Sequence, residues 1–241
     1  STEVFELPFV AAQKATVNAP AFFEYAQAHV LKEAADTQIL TAWAHDQGLF
    51  HTNKEIKTKA DLAGMKIRSP TRLAGEALTA LGATPVGMPI PQVPEALAQR
   101  AIDGCVVPWE VVPSIKVDEL TKFHTEIPDS PTLYTTTFFI AMNKPKYDGL
   151  ADDVKKVLDD NCGLAFAKAA GAMWDSVGAE VRAGLESSGK GTVSTISADE
   201  KKGWVEATQP VRDKWIADMK AKGLDSEGLM KAAEDAIKKY S

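Results

Sequence analysis

Gly64-Met65-Lys66-Ile67-Arg68-Ser69-Pro70-Thr71-Arg72 is the stretch on which the reading of the whole chain turns. Met65 to Ile67 alternates apolar and polar residues as a strand does, and Arg68 arrives at its end. Pro70 then stops the strand from continuing as an interior ladder partner, because proline carries no N–H. In an α/β sheet, ligands are held just past the carboxyl ends of strands. A guanidinium placed there offers a rigid fork of donors that matches a carboxylate or a phosphate. Arg68 is either such a cation or a solvated residue leading into a turn, and these nine residues alone leave both readings open.

The flanking sequence supplies a fold. After Arg68 the spacing predicts a helix over Leu73 to Leu81 closed by Gly82, a strand over Pro85 to Met88, and a helix over Pro91 to Ala101 with Pro94 in its first turn. Ile102-Asp103-Gly104 then turns into Cys105-Val106-Val107, a strand cut off by Pro108 and followed by Trp109. Before Arg68, Phe22, Phe23, Tyr25, Val30 and Leu31 recur at helical spacing between Pro20 and Ala35. Gln38 to Trp43 is an apolar run fit for a buried strand that ends at His45-Asp46-Gln47-Gly48. Strands alternating with helices of about ten residues indicate an α/β fold with a parallel sheet covered on both faces.

Farther on, Leu133 to Met142 is a long extended segment suited to cross between two lobes. Leu150 to about Ser187 is helical, with a break expected near Gly163 or Gly171. Thr192 to Thr195 gives a small strand. Ser197-Ala198-Asp199-Glu200 is a capping box opening a helix that carries Trp204 and Trp215, and a last amphipathic helix runs from Ser226 to Tyr240. No internal repeat or low-complexity tract is present.

Composition narrows the class of partner. The 241 residues are 45% apolar and 25% charged, with a formal net charge of -6, which argues against nucleic acid or an anionic membrane surface as the main partner. An anionic small molecule would need a local cation. Cys105 and Cys162 match no metal or redox spacing; they either pair or stay reduced as small buried hydrophobes, the second being the simpler reading. No run is apolar enough to span a membrane, and the opening Ser1-Thr2-Glu3 is expected of a mature or trimmed product. Gly184, Gly189 and Lys190 fail as a phosphate loop, because Gly191 stands where a Ser or Thr is needed and the order of helix and strand is reversed. His29, His45, His51 and His124 are scattered, so no metal site and no cofactor is expected. The carboxylates of Asp152, Asp153, Asp159 and Asp160 read as a helix start and its solvated face.

Taken together, Asp61 to Pro70, Leu81-Gly82-Ala83-Thr84-Pro85-Val86-Gly87-Met88-Pro89, Glu95-Ala96-Leu97, Ile102-Asp103-Gly104 and Phe139-Ile140-Ala141-Met142-Asn143 resemble the solute-binding subunits of TRAP (tripartite ATP-independent periplasmic) transporters, the dicarboxylate-binding-protein-like family. The segments follow the family's order across most of the chain. The resemblance implies a two-lobe periplasmic binding protein of type II-like architecture, with crossing strands and a long connecting helix. It further implies secretion to the periplasm, closure over a small organic acid, and delivery to the transporter's membrane subunits.

Carried over position by position, the resemblance makes Arg68 the clamp for a ligand carboxylate. Ile90 and Gln92 stand where an aromatic residue and an acid are common, and Val107 where some members place an asparagine, with Trp109 after it. Thr135, Thr136 and Thr137 match a ligand-facing crossing stretch. Aliphatic Ile90 and Val107 leave a pocket unable to satisfy a ligand rich in hydroxyls, since each desolvated, unpaired polar group costs about 1–3 kcal/mol. The expected ligand is a monocarboxylate with an apolar or aromatic body, held by Arg68 and resting on Val107 and Trp109. Of Phe138 and Phe139, only one can face the cleft. Arg72 is expected on the helix surface.

The lobes implied are 1–45 with 136–175 and 46–135 with 176–196, followed by C-terminal helices over 197–241. Family members carry a leading stretch ahead of the point matching Ser1, so the first lobe is expected to be incomplete, with dimerisation or low solubility as the consequence. The rival reading is an enzyme on a similar two-lobe scaffold that orients a carboxylate substrate with Arg68 and uses His45 or His51 as a base.

Overall fold

The computed structural model of the protein describes residues 1–241, the side chain of Lys32 excepted. A buried 3-10 turn at Thr2–Glu6 leads to helix α1 (Ala15–His29) and strands β1 (Thr37–Ala44) and β2 (Leu49–Thr52). Next come β3 (Lys66–Ser69), α2 (Arg72–Ala80), β4 (Thr84–Gly87), α3 (Val93–Ala98), β5 (Gly104–Val107), α4 (Val117–Leu120) and β6 (Phe123–Glu126). The chain then runs through β7 (Thr137–Asn143), α5 (Lys144–Asp148), α6 (Asp152–Asn161), α7 (Gly163–Ser188), β8 (Thr192–Thr195), α8 (Ala198–Ala221) and α9 (Ser226–Tyr240).

Two sheets organise these elements. A six-stranded sheet has the order β4-β3-β5-β2-β6-β8, and an antiparallel ribbon pairs β1 with β7. The large sheet is mixed, which corrects the expectation of a parallel one: β3 runs parallel to β4 and β5, and β6 to β8, but β2 is antiparallel to both β5 and β6. β2 and β6 are four-residue strands, too short to carry a readable period, and all of β2 is buried. Because β2 runs opposite to β3 and β5, the turn His45–Gly48 that feeds it lies at the same sheet end as Arg68.

A two-stranded ribbon is marginal unless something packs on it. Here α1 and α7 pack on β1, α9 backs α1, and the resulting core gathers Phe5, Phe22, Tyr25, Trp215, Met219, Met230 and Ala233. Phe139 points into it, edge-on to Phe22 at 5.4 Å. The large sheet buries a core on each face, with Ile67, Val106, Phe50, Leu78 and Trp204 on one side. Cys105, Val107, Leu49, Trp109 and Leu185 lie on the other. Helix α8 serves two cores, with Trp204 in one and Trp215 in another.

The long helical region breaks at Gly163, which adopts φ +68, the left-handed conformation that favours glycine. Gly171 lies inside α7, where its missing Cβ lets α1 approach: a Cβ there would come within 2.5 Å of the Ala15 carbonyl oxygen. Helix α1 begins five residues ahead of Pro20 because Asp175 of α7 caps it, accepting from the backbone N–H groups of Ala15 (2.7 Å) and Thr16 (2.9 Å). That cap is remote in sequence.

Candidate functional site

Arg68 sits near the end of β3, and Pro70 and the Thr71 N-cap of α2 follow immediately. Its side chain is folded against the sheet end: Nε donates to the Met88 carbonyl at 3.1 Å and Nη1 to the Val106 carbonyl at 3.5 Å. The residue is only 5% exposed, and among the described residues no carboxylate forms an ion pair with it. Burial lowers its pKa, opposed only by Tyr134 and Cys105 and by no carboxylate. A cation this desolvated is usually paired. Arg68 also lines a cavity of about 740 Å3, whose walls include Ser69, Pro70, Thr71, Pro85, Met88 and Pro89. Arg72 lines the same cavity but is committed elsewhere, bonded to Glu3 at 2.8 Å and to Glu76 at 2.8 Å.

The other residues singled out from the sequence are distributed unevenly around Arg68. Ile90 and Gln92 follow Pro89 in a short 3-10 turn, Ile90 half-buried and Gln92 exposed. Val107 and Trp109 are buried in the core behind the sheet, 2% and 3% exposed, and neither lines the Arg68 cavity. The alternation of β5 explains Val107, which points the same way as Cys105 and away from Val106. Trp109 donates from Nε1 to Glu126 at 2.9 Å, and Arg182 of α7 grips the same carboxylate through Nε at 2.7 Å and Nη2 at 3.0 Å. This three-residue tie fastens the long helix to the large sheet.

The crossing threonines brace the junction between the two sheets. Thr135 is fully buried and donates to the His45 carbonyl at 2.7 Å, while Thr136 gives its N–H to His45 Nε2 at 2.9 Å. Thr137 bonds through both its N–H and its hydroxyl to Glu6. Phe138, the partner of Phe139 on the strand, stacks on Trp43 at 5.4 Å and leans on Trp174.

The two histidines nominated as bases are consumed by structure. His45 bonds the Asp46 carbonyl through Nδ1 and Thr136 through Nε2, and burial pushes its pKa down to about 4. His51 bonds the Val107 carbonyl through Nε2 at 3.2 Å and faces His124 across the sheet, Nδ1 to Nδ1, at 2.7 Å. Since the Val107 carbonyl can only accept, His51 Nε2 carries the proton, and its Nδ1 accepts from His124. Burial, and then the neighbouring His124, push the His51 pKa down to about 3. The scattered spacing of these histidines hid the pair, because β2 and β6 are distant in sequence.

A further polar group at this sheet end carried no sequence signal. The buried carboxyls of Asp46 and Glu110 lie near one another beneath α7, and Asp46 Oδ1 and both Glu110 oxygens are without a hydrogen-bond partner. Burial pushes the Glu110 carboxyl up to about 8 and holds Asp46 well above the carboxylate range, with the nearby Glu110 and Asp175 charges adding to it. Both groups therefore favour the neutral form. Both cysteines are free. Among the described residues, no cluster of His, Cys, Asp and Glu is suited to hold a metal, and no helix is long and apolar enough to cross a membrane.

The sequence matches the family described as "Bacterial extracellular solute-binding protein, family 7" over residues 1–218. The chain belongs to this family. Among curated relatives, it is 30% identical over 214 residues to the 2,3-diketo-L-gulonate-binding periplasmic protein of Escherichia coli (strain K12), an alignment covering 84% of this chain and 59% of that one. The chain thus spans less than two thirds of that relative's length. Among solved structures, a TRAP solute-binding protein from Rhodoferax ferrireducens in complex with copurified benzoate superposes with a TM-score of 0.93. It shares 42% identity over 99% of this chain and 74% of that one. A marine metagenome TRAP solute-binding protein specific for aromatic acid ligands, co-crystallised with 3-hydroxybenzoate, gives a TM-score of 0.94 at 44% identity over 99% of this chain and 74% of that one. These superpositions establish the two-lobe α/β architecture of family 7.

Proposed function

We propose that the chain is the solute-binding subunit of a TRAP transporter and holds a monocarboxylate with an aromatic or apolar body by its carboxylate on Arg68. The observation that carries this reading is a buried guanidinium, unpaired by any acid, at the end of a strand and on the wall of the large cavity. A ligand carboxylate would supply the anion that the protein withholds, in charge-assisted hydrogen bonds. Pro70, Pro85, Met88 and Pro89 line the cavity with apolar surface suited to a ring. Two of the most similar solved structures hold benzoate and 3-hydroxybenzoate, which supports the same ligand class here. The protein works in the periplasm and hands its ligand to membrane subunits. The rival enzyme reading loses its nominated bases, because the ring nitrogens of His45 and His51 are engaged within the frame.

A thermal-shift screen of aromatic and aliphatic monocarboxylates against the wild type and Arg68→Ala tests the reading. At a hundred times its dissociation constant a ligand stabilises by about 2.7 kcal/mol, a shift of several degrees for a chain of this size. Aromatic monocarboxylates are expected to raise the melting midpoint of the wild type only. Equal shifts in both proteins would sink the role of Arg68.

A further inference from the structure

The cavity that Arg68 lines has a second guanidinium on its wall, and the protein has already supplied that one with anions. Among the described residues, three charged side chains line the cavity: Arg68, Arg72 and Glu76. Arg72 opens α2, and Glu76, one turn later on the same face, accepts from its Nη1 at 2.8 Å. Glu3, from the 3-10 turn Thr2–Glu6, takes the other side of the fork, accepting from Nε at 3.2 Å and from Nη2 at 2.8 Å. Glu76 also accepts from Lys214 of α8 at 2.9 Å. Arg72 thus holds two carboxylates, whereas Arg68 is bonded only to main-chain carbonyls.

This asymmetry limits how many anionic groups the cavity accepts. Its lining carries one positive charge in excess, and the unmatched cation is Arg68. A ligand seated by one carboxylate on Arg68 and bearing a second on its body would bring that second charge toward Glu76. Otherwise it would have to displace Glu3 or Glu76 from Arg72. Like charges brought together in a partly enclosed site repel, and a fork already filled by acceptors has few N–H groups left to offer. The two pairs are half-exposed, with 45% of the Arg72 side chain and 27% of the Glu76 side chain open to solvent. Pairs of that kind add little to stability, but they do set the field inside the cavity.

We propose that Glu76 and Glu3 are specificity-determining residues: by occupying the Arg72 guanidinium they restrict the cavity to ligands with one carboxylate and turn away dicarboxylates built on the same ring. This rests on the carboxylate-binding reading above and names what limits the charge of the ligand.

Glu76→Gln and Glu3→Gln each remove one acid and keep the side chain's shape. Calorimetric titration at neutral pH with benzoate, isophthalate and terephthalate, the last two being benzoate with a second carboxylate, gives a ratio of diacid to benzoate affinity for each protein. The wild type should bind benzoate more tightly than either diacid. In each single variant the ratio should rise roughly two- to fivefold for at least one diacid, the worth of one exposed ion pair. The rise should shrink as salt is added. Combining Glu76→Gln with Arg72→Gln should return the ratio to the wild-type value, because the receiving cation is then gone. Unchanged ratios in both single variants would overturn the inference, as would a wild type that binds a diacid as tightly as benzoate. A rise that persists in the double variant would overturn it too, since the second carboxylate would then be received elsewhere than on Arg72. A general loss of stability does not mimic these results, because each readout compares two ligands in one protein. Arg68→Ala, titrated in parallel, separates the two levels. If it binds benzoate as the wild type does, the carboxylate-binding reading fails. If it loses benzoate while the ratios of Glu76→Gln and Glu3→Gln stay at the wild-type value, only the role of the two acids fails.

Discussion

Replacing Glu110 by glutamine should change how stability depends on pH. The folded protein keeps Glu110 protonated up to about pH 8, whereas in an unfolded chain the group ionises near 4.5. Between those values the folded state holds a proton that the unfolded state has lost, so stability falls as pH rises. The contribution is fully present below about 4.5 and gone above about 8. For one proton the slope is about 1.4 kcal/mol per pH unit. Glutamine has no proton to give up, and its amide can donate to Asp46, the partner now facing Glu110. Urea unfolding at several pH values between about 5 and 8 should therefore show the stability of Glu110→Gln gaining on the wild type by up to about 1.4 kcal/mol per unit. Parallel profiles for the two proteins would refute a neutral, buried Glu110 beneath α7.

Other substitutions test other parts of the frame. Gly171→Ala drives a methyl group to within 2.5 Å of the Ala15 carbonyl oxygen and should lower the unfolding free energy by about 1–3 kcal/mol, seen as a reduced urea midpoint at unchanged slope. His51→Gln should be less stable than the wild type near neutrality, yet close the gap as pH falls from about 6.5 toward 3. The folded pKa of His51 lies near 3, below its unfolded value of 6.5, so its contribution is present above 6.5 and lost on acidification. A constant gap across that range would contradict the buried neutral pair.

Much of the fold could be read from local pattern, because β3, β4 and β5 and the helices between them each announce themselves through a proline, a glycine or an amphipathic run. The β8 strand and α9 helix fall at the residues the sequence indicated, Thr192–Thr195 and Ser226–Tyr240. β2 and β6 escaped because four-residue strands buried along nearly their whole length show no alternation, and missing β2 concealed that the sheet is mixed. The start of α1 escaped for a different reason: its cap, Asp175, is 160 residues away from Ala15. At the site, Arg68 was legible as a cation delivered by a strand and stopped by a proline. Val107 and Trp109 were placed by family position, and the structure sets both in the core behind the sheet, Trp109 on Glu126. The His51–His124 pair, the Asp46–Glu110 pair and the Gly48–Tyr134 contact are all products of long-range register, which no local pattern encodes.

Whether Arg68 waits for a carboxylate is tested most directly by titrating the wild-type protein with benzoate and with benzamide, which keeps the ring and removes the charge. The arrangement at the end of β3 predicts saturable binding of benzoate and at least roughly a hundredfold weaker binding of the amide, since each charge-assisted hydrogen bond is worth about 1.5–3 kcal/mol. Equal affinity for both compounds would show that the ring alone is recognised, and the buried guanidinium would then be a structural feature of the sheet end.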